Sequence, residues 1–175
     1  MKDLFIVDGY NIIFAWDSLS KLAKESLDHA REKLIDMMAS YGKAKGYSLI
    51  LVFDAMYTEE DAKSRHIGRD CEVLFTDKEE TADSRIERIV YEHRNERRSV
   101  YVATSDGPEQ NQILGSGAYR VPARELWDDV ERVRKEVAAY DHRDTMSRQT
   151  SRNEVLSHVK NQDVLAKLEE IRRSK

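Results

Sequence analysis

The sequence predicts an α/β fold: a largely parallel central sheet flanked by helices on both faces, followed by a C-terminal helical tail. Short apolar runs, each closed by polar or turn residues, recur at 4–7, 49–53, 73–75, 100–103 and 119–121, which is the pattern of buried strands. Between several of them, apolar residues repeat at spacings of three and four, the pattern of amphipathic helices. Strands that alternate with helices need crossover connections, and crossovers make neighbouring strands parallel.

Taken in order, the run 4–7 is followed at once by Asp8 and Gly9, and Asn11 can open a helix there. Leu27, Ala30, Leu34, Met38 and Tyr41 predict a helix over 27–41 that ends near Gly42. The second strand leads into 55–70, a connection with few large apolar residues that carries Lys63, Arg65, His66 and Arg69. Long connections in compact domains tend to be functional or mobile. Ala82, Ile86, Ile89, Val90 and His93 mark a helix beginning near Thr81, and Pro108 sits where a short helix starts. Leu126, Val130, Val133 and Val137 carry a late helix from Ala123 to the Tyr140 region. Periodicity then fails over 141–151, which reads as a charged hinge, before Val155, Val159, Leu165, Leu168 and Ile171 suggest a last helix. The expected organisation is one domain over 1–140 with a hinge and helical extension over 141–175.

Composition supports that size of core. With 175 residues, 40% hydrophobic and 35% charged, the chain can build one sizeable core but not two comfortable ones. No apolar stretch approaches the roughly 20 residues needed to cross a bilayer, so neither a signal peptide nor an anchor is expected. A single cysteine, Cys71, excludes an internal disulfide or a cysteine-rich zinc site and fits a reducing compartment, with the cytoplasm as the default. Net charge is −4, distributed as −7 over 1–141 and +3 over 142–175. An acidic body suits a site that collects cations, and separate basic elements suit phosphates; a solvated helix accounts for the basic tail equally well.

Three aspartates fall at strand ends. Asp8 follows the first strand, Asp54 the second, and Asp106 the fourth after Thr104 and Ser105. In a parallel sheet the carboxyl ends of all strands share one edge, so side chains distant in sequence converge there. Asp83 approaches from the first turn of its helix, where its spacing to Ile86 and Val90 sets it beside the buried stripe. Carboxylates forced together repel, and burial penalises each charge further, so such a cluster calls for a cation. Oxygen donors without histidine or cysteine suit Mg²⁺ or Mn²⁺, which can activate a water and stabilise an in-line displacement at a phosphodiester. Each residue taken alone also has a structural explanation: Asn11 and Asp106 as helix caps, Asp83 as a partner of its helix dipole.

The run Val7-Asp8-Gly9-Tyr10-Asn11 resembles the DGYN opening of NYN-domain nucleases. Val52-Phe53-Asp54-Ala55, Glu80-Thr81-Ala82-Asp83 and Ala103-Thr104-Ser105-Asp106 match the subsequent motifs in order, and together they are similar to the bacterial YacP-like branch over about residues 1–140. The resemblance implies a PIN-like fold, a divalent metal, RNA phosphodiester hydrolysis and, in this branch, a ribosome-associated mRNA endonuclease. Carried over residue by residue, it implies Asp8, Asp83 and Asp106 as metal ligands and catalytic groups, with Asp54 also catalytic. Asn11 and Ser105 would support the site. Glu80 can reach a metal or its water, although Glu79 beside it suggests a solvated charge run. The tail beyond Asp141 carries no motif that the resemblance covers.

Lys63, Arg65, His66 and Arg69 are candidate RNA contacts, and Tyr10, Tyr57 or Trp16 can stack on a base, against ordinary surface charge and packing as the simpler explanation. No nucleotide cofactor is expected: the first strand is not followed by G-x-G-x-x-G, and no G-x-x-x-x-G-K-[ST] occurs. A Ser105 hydrolase pair lacks the G-x-S-x-G elbow. The rival from another class is a catalytically silent RNA- or ribosome-binding module on the same fold. Retention of an acid at all four candidate positions favours the enzyme.

Overall fold

The structure is a computed structural model that describes residues 1–57, 63–105 and 117–159, with 147–159 described as helix backbone alone. The chain runs β1 (Leu4–Asp8), α1 (Gly9–Ala15), α2 (Asp17–Glu25), α3 (Leu27–Lys45), β2 (Ser48–Phe53), a 3-10 turn (Ala55–Tyr57), β3 (Ser64–Ile67), β4 (Cys71–Phe75), α4 (Ala82–His93), β5 (Val100–Thr104), β6 (Tyr119–Pro122) and α5 (Ala123–Val159). The six strands form one sheet in the order β3-β4-β2-β1-β5-β6. All neighbours are parallel except β3 and β4. This is the predicted mixed α/β architecture with a mostly parallel sheet.

The period of two along each strand decides which helix each side chain meets. Phe5, Val7, Leu49, Leu51, Phe53, Val73 and Phe75 share a core with α1, α2, α3 and the start of α5. Leu4, Ile6, Val52, Leu74, Val100 and Val102 face the other way and pack on Ala82, Ile86, Ile89 and Val90 of α4. β1 is central, with β2 on one side and β5 on the other. The chain moves from β1 outward to β2 and β4, then crosses back through α4 to β5 on the other side of β1, so the carboxyl end of β1 is the topological switch point where open α/β sheets form crevices.

Four sequence expectations are corrected. The helix predicted to end near Gly42 runs a turn further, to a cap at Gly46, whose φ of 75° is the left-handed geometry of a helix end. Gly42 is buried inside the helix against Leu49. Residues 9–25, where the sequence was read only as a helix opening at Asn11, form two helices, α1 and α2. The 55–70 connection contains β3, an edge strand antiparallel to β4. Finally, the expected hinge at 141–151 is helical, because α5 continues without interruption through Val159. The short helix expected at Pro108 and the last part of the tail lie outside the described residues.

The chain divides into two units, Met1–Arg134 and Lys135–Lys175. Among the described residues no helix is long and apolar enough to cross a membrane.

Candidate active site

Asp8 is the last residue of β1, and its position in the strand determines its direction. It continues the parity of Leu4 and Ile6, so its side chain leaves the sheet on the side of α4. Asp54 continues the parity of Ile50 and Val52 one step beyond β2, and Asp83 stands in the first turn of α4, whose cap is the Thr81 hydroxyl accepting from the Ser84 amide. Three of the four predicted aspartates are therefore directed to one side of one sheet edge. Asp106 lies outside the described residues.

Asp8 is buried, with 6% of its surface exposed. Burial pushes its carboxyl from the ordinary 3.8 up to about 7. The charge and side-chain hydrogen bond of Asp83 push in the same direction, as does the charge of Asp54, while the Asn11 backbone opposes them. Asp8 stands at the N-cap position of α1, where the Asn11 amide draws its carboxyl down against the stronger push of burial and Asp83. Asp83 is exposed and Asp54 half-buried. Asp54 has a turn-forming role as well: its Oδ1 accepts from the Met56 amide at 2.9 Å.

Local packing brings these carboxylates together. A Cβ at Gly9 would lie 2.2 Å from the Phe53 ring, so only glycine lets the β1–α1 turn close over the end of β2. Phe53 in turn is wedged between Tyr10 and Phe75. Beyond β2, the Ala55 amide donates to the buried Thr76 hydroxyl at 3.0 Å, which fixes the turn that carries Asp54. Asn11 Oδ1 accepts from the Ser105 amide, and Arg120 donates to the Ser105 carbonyl at 2.8 Å. Asn11 and Ser105 thus couple the start of α1 to the end of β5. Thr104, fully buried, is the last residue of β5, one step beyond the Val7–Ala103 pair of the β1–β5 ladder. Nothing in the sequence distinguished Thr104 or Thr76 from other strand-end threonines.

Glu80 differs from the solvated charge run suggested by its neighbour Glu79. Its side chain is only 12% exposed and forms ion pairs with Arg85, at 3.6 Å, and with Arg88, both on α4. The predicted basic loop is also corrected. Lys63 stands at the aspartate edge and pairs with Asp77 at 2.8 Å, whereas Arg69 lies in the turn after β3, at the opposite edge. Arg65 is turned to α3, where it holds both oxygens of Glu32 at 2.9 and 3.0 Å, and His66 faces away from it beside Glu72. The four residues therefore do not form one surface. Of the aromatic residues, Tyr10 and Trp16 are buried; Trp16 donates to the Ala123 carbonyl and packs on Trp127.

Among the described residues, no three histidine, cysteine or acidic side chains form a ready metal cage. The pair Asp8 and Asp83 nevertheless fits a hard divalent cation. Mg²⁺ commonly binds through one or two carboxylates and keeps several waters, and a buried carboxyl forced up by a second carboxyl has an electrostatic deficit that a cation removes.

The sequence profile of the YacP-like NYN domain matches residues 5–173, so the likeness extends through the tail that the sequence motifs left uncovered. YacP of Bacillus subtilis is 41% identical over 135 residues, which cover 77% of this chain and 79% of that protein. The crystal structure of Rae1 (YacP) from Bacillus subtilis superposes with a TM-score of 0.73 at 38% identity, covering 98% of this chain and 95% of its own. A point-mutant form of the same protein gives a TM-score of 0.70 at 39% identity over 82% and 83% of the two chains.

Proposed function

The chain belongs to the YacP-like NYN domain family, a nuclease-like fold, and from that premise we propose that it is a metal-dependent endoribonuclease that hydrolyses RNA phosphodiester bonds. The observation that carries the reading is the buried Asp8 at the sheet switch point, held against Asp83 with its carboxyl pushed up to about 7. A buried carboxyl in that state is costly to the fold unless a cation shares it.

In this reading Asp8 and Asp83 hold Mg²⁺ or Mn²⁺, Asp54 adds negative charge at the rim, and Asp106 is a fourth acidic group. The cation, when bound, lowers the pKa of a coordinated water and stabilises charge on the phosphoryl oxygens. Asp8 and Asp83 would be the two carboxylates that hold the cation at the sheet edge. Thr104 and the Val7 ladder shield the inner side of Asp8 from bulk water. Asn11, through Ser105, holds the end of β5 against the start of α1. Arg85 and Arg88, drawn in by Glu80, place positive charge on α4 one turn beyond Asp83, where it offsets the approach of a polyanion. No nucleotide cofactor has a role.

The substrate is proposed to be mRNA in the cytoplasm, cleaved in association with the ribosome, as the family resemblance implies. RNA 5′ ends mapped in cells that express the protein or its Asp8→Asn variant, with and without active translation, test both parts. New ends should depend on Asp8 and disappear when translation is arrested before the cleaved codon. Ends that persist with the Asp8→Asn variant contradict the nuclease reading, and ends independent of translation contradict the ribosomal one.

A further inference from the structure

Phe14 and Tyr57 leave 51% and 45% of their surfaces exposed, and Met56 beside them leaves 74%. The two rings meet edge to face at 6.3 Å. Both rest on the buried Tyr10, which lies 6.5 Å from Phe14 and 5.1 Å from Tyr57 and donates from its hydroxyl to the Tyr57 carbonyl at 3.4 Å. Tyr10 in turn is seated on Phe53 at 5.0 Å. The exposed pair is therefore held by a packed base, as a preformed surface.

Its place relative to the aspartates gives it a use. The Tyr57 amide donates to the Asp54 carbonyl at 3.3 Å, and the Met56 amide donates to the Asp54 carboxylate. Phe14 belongs to α1, the helix that begins beside Asp8. Both rings thus stand on segments that leave the aspartate edge, Tyr57 three residues after Asp54 and Phe14 six after Asp8. We propose that Phe14 and Tyr57 form a base-stacking step that takes one unpaired nucleobase of single-stranded RNA next to the site. This rests on the nuclease reading for its substrate class and adds a binding group outside the carboxylates.

The chemistry favours a base over a protein partner. Three side chains cover much less than the roughly 800 Å² per partner of a stable protein interface. Every base has a π face, so stacking is sequence-tolerant, and truncating one stacked ring typically weakens binding by about tenfold. A base paired in a duplex cannot be splayed onto the rings without first breaking its pair. Sequence reading had offered Tyr57 together with Tyr10 and Trp16; burial removes the last two from this role, and Phe14 takes their place.

The test uses the full chain carrying Asp8→Asn, so that RNA stays intact, and a single-stranded oligoribonucleotide of mixed sequence containing one 2-aminopurine. Phe14→Leu and Tyr57→Leu should each weaken binding about tenfold and abolish quenching of the probe, while Tyr57→Phe retains both. One abasic position, found by scanning the RNA, should weaken binding to the same extent and add nothing in the Leu variants, a comparison insensitive to small changes in the fold. A duplex of the same sequence should bind more weakly than the single strand. Unchanged affinity and quenching in both Leu variants, abasic losses that add fully to theirs, or no binding of the probe at all would overturn the proposal. Cleavage by the otherwise wild-type chain in Mg²⁺ is read separately. Stacking without cleavage leaves this inference standing and removes the nuclease, whereas undiminished cleavage by the Leu variants does the opposite.

Discussion

Asp8 carries opposite obligations to fold and function. Its carboxyl is pushed from 3.8 to about 7, first by burial and then by Asp83, so the folded protein binds a proton there more tightly than the unfolded chain does. Stability from this group is fully present below pH 3.8 and is lost as pH rises through about 7. The loss has a ceiling on the order of 4 kcal/mol. Asp8→Asn, which resembles the protonated form, should leave melting in the absence of metal nearly unchanged near pH 4.5 and raise it at pH 8.5. Thermal melts at the two pH values in a chelator check this; an Asp8→Asn protein less stable than wild type at pH 8.5 would mean that the ionised carboxylate stabilises the fold. The position of Asp8 was legible in the sequence because a polar residue ending an apolar run is unambiguous. Its partner was legible because helical spacing set Asp83 beside the α4 stripe. The roles of Glu80 and Arg65 were not, since an ion pair across elements leaves no periodic trace.

Long stripes and unbroken apolar runs were readable, and short or polar elements were not. α3 and α4 present a stripe to the sheet, and β1 and β2 are continuous apolar runs. α1 buries Gly9, Tyr10, Ile12 and Ile13 but is only seven residues long, and α2 offers a stripe of Leu19, Leu22 and Ala23 over nine, so each is barely two turns of pattern. β3 is a polar edge strand of four residues with no apolar run to mark it. The break in periodicity at 141–151 was real but marked the end of burial instead of the end of the helix: Val133 is still buried, whereas Val137, Tyr140 and Met146 are 47%, 70% and 73% exposed. Truncation after Asp141 should consequently leave a protein that unfolds cooperatively, within a few degrees of the full chain. It should also weaken RNA binding and flatten its salt dependence, because the removed segment carries a net charge of +3. A truncated protein without a cooperative transition would show that the tail completes the core.

At the scale of the whole molecule, sheet order and charge act together. The order β3-β4-β2-β1-β5-β6 sets Asp8 at the switch point, and parity turns Asp54 to the same side as α4 and Asp83. The acidic edge repels a polyanion unless a cation intervenes, so metal binding and RNA cleavage are expected to be lost together. The most direct measurement is single-turnover cleavage of a labelled single-stranded RNA across a titration of Mg²⁺ or Mn²⁺, for the wild-type chain, Asp8→Asn and Asp83→Asn, beside metal-free melts of each. Wild type should cleave with saturable metal dependence and stop in excess chelator. Both variants should lose at least about a hundredfold in rate, roughly 2.7 kcal/mol of transition-state stabilisation, while remaining folded without metal. Full cleavage in excess chelator, or a wild-type rate for Asp83→Asn at limiting metal, would contradict the account.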